Sequence, residues 1–215
     1  MKLVVDVDGV LADQVSPVLA RLNSEYGLNV TRDQIRTWNE PIADTDIKTA
    51  IESAQLDADF ILAMKPIEGA REAMLELANE HEITVATDRG PLAEDATVVW
   101  LKNNGIPYNR YVGTSQLGKG AIAGDILIDD YPRNVLRFIE NGGLAILFDQ
   151  PWNENDPSVE EAILQGRVIR ARGWRCVLCI VRSLEPSTTS QTLGTRLASA
   201  QNLVSEGARS AESRQ

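Results

Sequence analysis

Apolar positions along this 215-residue chain follow two rhythms. Short unbroken apolar runs mark buried strands, and apolar residues recurring every three or four positions mark helices. Lys2 to Val7 is the first such run, and it stops in Asp6, Val7, Asp8 and Gly9. Ser16 to Gly27 then reads as a helix, with Ser16 as N-cap, Pro17 at the first helical position and Gly27 as terminator. From Asn29 to about Lys65 the pattern loosens into two or three short helical pieces, among them TRDQIRTW and DTDIKTAIESA, with no strand to pair with the first. Residues 14–65 are therefore expected to be a helical cap inserted over the end of the first strand. Beyond Lys65 and Pro66 the patterns alternate. Helix Glu68 to Glu80 carries Ala70, Ala73, Met74, Leu77 and Ala78 on one face, the strand EITVATD follows, and helix Leu92 to Asn104 ends at Gly105. After a short segment around Tyr111 and Val112 come the strand Asp125 to Asp130, helix Arg133 to Asn141, the strands Leu144 to Asp149 and Arg167 to Ala171, and helix Trp174 to Leu184. Apolar strands alternating with helices predict an α/β fold, a parallel sheet covered on both faces. Residues 1–13 and 66–184 form its core, and residues 185–215, polar and poor in large apolar side chains, are expected to be frayed or marginally helical.

Composition narrows the partners. The formal net charge of -10 argues against a nucleic-acid polymer or an anionic membrane, which need concentrated positive charge. A small anionic ligand fits if a metal and a few local cations receive it. No apolar run approaches the ~20 residues of a membrane span, and the first strand begins without the layout of a signal peptide, so a cytoplasmic setting is expected. A homodimer stays open. Cys176 and Cys179 form a CxxC with no second pair and no clustered histidine, and are expected to be buried, inert helix thiols.

The chemistry lies at strand ends. In a parallel sheet, Asp6 and Asp8, Thr87 with Asp88 and Arg89, and Asp129 with Asp130 all emerge on one edge, where ligands of such sheets bind. Lys119 lies in the glycine-flanked loop just before the last of these strands. Alternation along the strand points Asp6 and Asp8 the same way, into one small space, and Gly9 permits a sharp turn beside them. Carboxylates without imidazole or thiolate make an oxygen-ligand site for a hard cation, and Mg²⁺ suits it. A phosphate ester held there would be attacked by Asp6, with Asp8 as acid and base, Lys119 neutralising phosphoryl oxygens and Thr87 donating to one of them.

DVDGVLAD resembles the first motif of the haloacid dehalogenase-like phosphohydrolases, and Thr87, Lys119 and Ile128 to Asp130 resemble the second, third and fourth. GKGAIAGDILIDDYPRN followed by ILFDQPWN narrows the likeness to the 5'(3')-deoxyribonucleotidases of the cytosolic C type and their bacterial and phage relatives. The resemblance spans residues 1–184. It implies a Rossmann-like core, a helical cap that selects the leaving group, and magnesium held by Asp6, by the backbone carbonyl of Asp8 and by the Asp129/Asp130 pair, either of which could be the direct ligand. The activity implied is hydrolysis of nucleoside monophosphates through an aspartyl-phosphate. A phosphatase of another small phosphate, such as a sugar phosphate, and a nucleotide-binding module without turnover are the alternatives.

One departure stands out. Thr87 is followed by Asp88 where the relatives carry Ser, and an acid aimed at phosphate would repel it. Asp88 could instead cap the following helix while Arg89 supplies a compensating cation to the substrate. Thr87 itself could be that cap. Trp38, Phe60 and Tyr26 are the aromatic candidates in the cap; Trp38 is the best placed, as a platform for a base or as cap core. Gln150 and Asn153 either reach the site or build a turn, Asp13 and Asp125 read as structural, and His81 as solvated.

Overall fold

The computed structural model describes residues 1–114 and 118–185. The reading of residues 186–215 as a frayed or helical tail lies outside the described residues. Among the described residues, ten strands and eight α-helices follow in chain order: β1 Lys2–Asp6, β2 Ala12–Asp13, α1 Val15–Tyr26, β3 Pro41–Ile42, β4 Thr45–Asp46, α2 Ile47–Ala54, α3 Ala58–Ala63, β5 Lys65–Pro66, α4 Ala70–Leu77, β6 Glu82–Thr87, α5 Glu94–Asn103, β7 Arg110–Gly113, β8 Ile126–Asp129, α6 Pro132–Glu140, β9 Leu144–Phe148, α7 Glu160–Leu164, β10 Val168–Ala171 and α8 Trp174–Leu184.

Six strands form one sheet in the order β10-β9-β8-β1-β6-β7, and every neighbouring pair is parallel. The opening strand lies inside it because its apolar residues serve both faces. Leu3 and Val5 join the layer of α4, α5 and α8 with Trp100 and Trp174, while Val4 joins the opposite layer with Val135 and Phe138 of α6. Each fully buried aliphatic side chain of this kind contributes about 1.5–3 kcal/mol. In register, Asp6 lies beside Ala86 and Val5 beside Ile128, so the carboxyl ends of β1, β6 and β8 open on one edge.

Residues 14–64 leave and rejoin this core through one neck, the antiparallel pair β2–β5, with Ala12 opposite Pro66 and Asp13 opposite Lys65. The excursion has its own apolar cluster, including Val18, Leu22, Ile35, Ile47 and Ile51. Its start differs from the expectation. The first helix begins at Val15, and it is Asp13 whose Oδ1 accepts from the Ser16 N–H at 3.1 Å, so Ser16 is inside the helix and not its cap. Gly27 ends α1 in the left-handed conformation at φ 65°, as its sequence position suggested. The middle is not wholly helical. Pro41–Ile42 pairs with Thr45–Asp46 around Ala43 at φ 56°, a hairpin without the glycine that would announce it. TRDQ forms one 3₁₀ turn over Arg32–Gln34, closed by reciprocal bonds between Thr31 and Gln34. Among the described residues no helix is long and apolar enough to cross a membrane.

Candidate active site

Asp6 ends β1 with its carboxylate 1% exposed, and Lys119 Nζ lies 2.5 Å from its Oδ2. The lysine also sits 3.4 Å from Asp129 Oδ2 and 3.9 Å from Asp88 Oδ2. Asp6, Asp129 and Asp130 are buried and offer ligand oxygens within 4.8 Å of one another. Gly9 makes room for this. It holds φ 75°, and a side chain there would run into Asp130 Oδ2.

Each acid has its own fixing partners. Asp6 Oδ1 accepts from the Val7 N–H at 2.6 Å. Asp129 accepts from the Tyr131 N–H at 2.8 Å and from Asn134 Nδ2 at 3.1 Å. Asp130 Oδ2 accepts from the Trp152 indole N–H at 2.9 Å. Burial is the main force on all three. It pushes Asp6 well above the usual carboxylate range, with Asp129 and Asp130 adding to the effect and Lys119 opposing it. It pushes Asp130 up to about 8, helped by the charge of Asp129. Asp129 is raised by burial too, against the pull of Lys119. For Lys119, burial works against its charge, but Asp129 and Asp6 outweigh this and hold it protonated.

One lysine among three buried carboxylates leaves negative charge without a partner, and among the described residues the candidate metal ligands of this cluster are carboxylate oxygens. That donor set fits a hard divalent cation held by few carboxylates plus water and ligand oxygens. A pH dependence follows. Folding raises these pKa values, so the metal-free protein pays no penalty below about pH 4 and loses stability as pH climbs through the window ending near 8, the Asp130 value. A bound cation replaces the proton. The rise in melting temperature on adding Mg²⁺ is therefore expected to be larger at pH 8 than at pH 5.5, and melts with Mg²⁺ or EDTA at both pH values check it.

Asp8 does not share this space. Its carboxylate is gripped by Arg89, whose Nε donates to Oδ2 at 3.0 Å and Nη2 to Oδ1 at 2.5 Å. Gln55 Nε2, at the end of α2, donates to the same Oδ2 at 3.1 Å, and the Gln14 amide adjoins Oδ1. The chain turns after Asp6, so strict alternation fails: β1 stops there and Asp8 makes only an isolated bridge to Ala12. The crowding expected between Asp6 and Asp8 is instead between Asp6, Asp129 and Asp130.

Arg89 is likewise corrected. Its buried guanidinium is engaged by Asp8, by Thr97 Oγ1 at 2.9 Å and by Met64 Sδ at 3.6 Å, and does not serve as a free cation for phosphate. Nor does Asp88 cap a helix. The 3₁₀ turn at Pro91–Ala93 and α5 both start without a side-chain cap; Asp88 Oδ1 instead accepts from the Thr114 hydroxyl. Thr87, fully buried, is no helix cap either. Its Oγ1 accepts from the Arg89 N–H at 3.3 Å, which leaves its own hydrogen for donation.

Trp38 is half-buried and packs on Trp152 with ring centroids 4.8 Å apart. Phe60 fills the junction between the core and cap clusters. Tyr26 lies away from the site, 40% exposed, its hydroxyl donating to Asp44 at 2.7 Å. Gln150 and Asn153 build the turn after β9: Gln150 Nε2 donates to the Gly9 carbonyl, and Asn153 Nδ2 to the carbonyls of Asp130 and Phe148. Asp13 and Asp125 are structural, accepting from Arg32 and from the Lys2 N–H. His81 is packed, not solvated, with Nε2 3.2 Å from Glu185. Cys176 is half-buried and Cys179 exposed on α8, so only the first approaches the buried thiol expected. Gln14, Gln55, Asn134 and Trp152 were missed: Gln55 and Trp152 act through contacts distant in sequence, and Gln14 and Asn134 through nearer ones that no motif marks. A groove of about 720 Å³ along the neck, lined by Asp13, Arg32, Lys65 and Arg172 among others, touches none of the buried acids; the acidic cluster is marked by its charge, not by the size of an opening.

The family model described as "5' nucleotidase, deoxy (Pyrimidine), cytosolic type C protein" matches residues 1–164. No curated protein sequence matches the chain. Solved structures share its fold. A haloacid dehalogenase-like family hydrolase from Streptococcus pneumoniae is 16% identical, with a TM-score of 0.58 over 84% of this chain and 97% of that one. The L-2-haloacid dehalogenase from Xanthobacter autotrophicus with chloropropionic acid covalently bound is 12% identical, with a TM-score of 0.54 over 86% and 99%. A HAD-hydrolase from Bacillus subtilis bound to magnesium is 13% identical, with a TM-score of 0.55 over 84% and 97%.

Proposed function

From the premise that the chain belongs to the cytosolic type C deoxy (pyrimidine) 5'-nucleotidase family, a family of phosphatase-type hydrolases, we propose that it is a Mg²⁺-dependent phosphomonoesterase acting on nucleoside monophosphates, deoxynucleotides foremost. The observation that carries this reading is Asp6, buried at a strand end with Lys119 at 2.5 Å and facing Asp129 and Asp130.

Mg²⁺ would be held by the carboxylates of Asp6, Asp129 and Asp130 and the backbone carbonyl of Asp8, where it offsets phosphate charge as a Lewis acid. Asp6 attacks phosphorus; a carboxylate–phosphorus bond forms as the ester P–O bond breaks, and Asp8 delivers a proton to the departing alkoxide. Water then attacks the same phosphorus, giving its proton to Asp8 and releasing Asp6 and inorganic phosphate. Lys119 neutralises phosphoryl oxygens and the Thr87 hydroxyl donates to one. Arg89 and Gln55 hold Asp8, the latter tying the acid to the cap. Trp38 offers a face to the base. Asp88 enters this scheme as a charge already met by Thr114 and Lys119, so it does not argue for a module without turnover. The family's description as cytosolic supports a cytoplasmic setting, and the acidic net charge supports a small-molecule partner in place of a nucleic-acid polymer.

The test is phosphate release from deoxy- and ribonucleoside 5'- and 3'-monophosphates and from sugar phosphates, each with Mg²⁺ and with EDTA. Turnover of the deoxynucleotides, lost in EDTA, is expected. Turnover of a sugar phosphate with inert nucleotides would replace the substrate class.

A further inference from the structure

Trp152 follows β9 in the sheet, yet its ring belongs to the apolar cluster of the cap. It is 6% exposed, it packs against Trp38, and Arg32 Cζ lies 5.2 Å from its ring centroid. Its indole N–H donates to Asp130 Oδ2 at 2.9 Å. Among the described residues this is the one hydrogen-bond donor to that carboxylate, whereas Asp129 has both Tyr131 and Asn134. The turn carrying Trp152 is itself anchored to the site, since Asn153 holds the Asp130 carbonyl and Gln150 the Gly9 carbonyl.

We propose that Trp152 is a positioning residue: its N–H sets the Asp130 carboxylate for a divalent cation. The inference rests on the reading of Asp6, Asp129 and Asp130 as the cation site. The N–H occupies one lone pair of Oδ2 and leaves Oδ1 directed elsewhere. A buried carboxylate with a single donor loses its orientation when that donor goes. Partners that orient a metal ligand in this way are worth about 10–100-fold in affinity.

The measurement is calorimetric titration with Mg²⁺ alone, with no substrate present. Trp152→Phe keeps a ring against Trp38 and loses the N–H; its affinity is expected to fall about 10–100-fold, while Trp152→His, which keeps a ring N–H, recovers part of the loss. Leu22→Ala thins the same cap cluster without touching Asp130 and is expected to bind within about threefold of wild type, below that range. Equal affinity in Trp152→Phe and wild type would overturn the proposal, as would an equal loss in Leu22→Ala. Should Trp152→Phe not fold, ¹⁵N-labelled wild type decides. The Trp152 indole N–H resonance is expected to move with Mg²⁺ while those of Trp100 and Trp174, bonded to the carbonyls of Met64 and Val10, stay put; a stationary Trp152 signal overturns the proposal. Absence of Mg²⁺ binding by wild type overturns both this proposal and the cation site beneath it. Inert nucleotides with Mg²⁺ binding intact would overturn only the substrate class.

Discussion

Asp6→Asn is expected to abolish phosphate release, with a loss on the order of 10⁴-fold or more, the scale seen when a covalent nucleophile is removed. The change is nearly isosteric, and it removes one of the carboxylates that burial and the neighbouring acids oppose. The folded protein is therefore expected to be at least as stable as wild type in EDTA. Loss of activity with an undiminished melting temperature separates a missing nucleophile from a damaged fold. Steady-state phosphate release and a thermal melt on one preparation measure both, and wild-type turnover by Asp6→Asn would exclude the covalent step.

Lys119→Met is expected to reduce kcat by about 10²–10³-fold, the typical effect of removing one preorganised group that stabilises transition-state charge. Its structural effect should be opposite to that of Asp6→Asn. The lysine lies 2.5 Å from Asp6 and 3.4 Å from Asp129, so its removal leaves buried acids facing one another. Breaking a buried pair by deleting one partner destabilises by about 3–5 kcal/mol. Mg²⁺ is expected to return part of this, because a cation then meets the same carboxylates. Denaturant unfolding with and without Mg²⁺ reads the size of both effects. A variant as stable as wild type in EDTA would mean that Lys119 does not offset the acids.

The acidic edge was legible because the acids interrupt strands that should be apolar. Asp6, Asp129 and Asp130 each break such a run, and a parallel sheet leaves only one edge for them. Trp174 to Leu184 was read with its observed bounds because an eleven-residue amphipathic helix repeats its pattern often enough to be unambiguous. Glu160–Leu164 is too short for that and was not seen. The hairpin around Ala43 was hidden because a left-handed turn residue there is not glycine.

What a residue does inside the site was harder to read. Arg89 was legible as a cation beside Thr87, but whether it faced phosphate or Asp8 depended on where the chain turned after Asp6. One residue of strand decided it. Ending β1 at Asp6 turns Asp8 away from the other acids and into the reach of an arginine 81 positions later. The partners of Asp8 and Asp130 come from distant segments, Gln55 from the cap and Trp152 from the turn after β9, and no local pattern marks either.

The central claim is that phosphate passes through the carboxylate of Asp6. Quenching wild-type protein in mid-turnover with borohydride would reduce an aspartyl-phosphate to homoserine, and peptide mass spectrometry would locate it. The account predicts homoserine at position 6, dependent on substrate and on Mg²⁺. Continued phosphate release with Asp6 unmodified, or with homoserine at another aspartate, would contradict it.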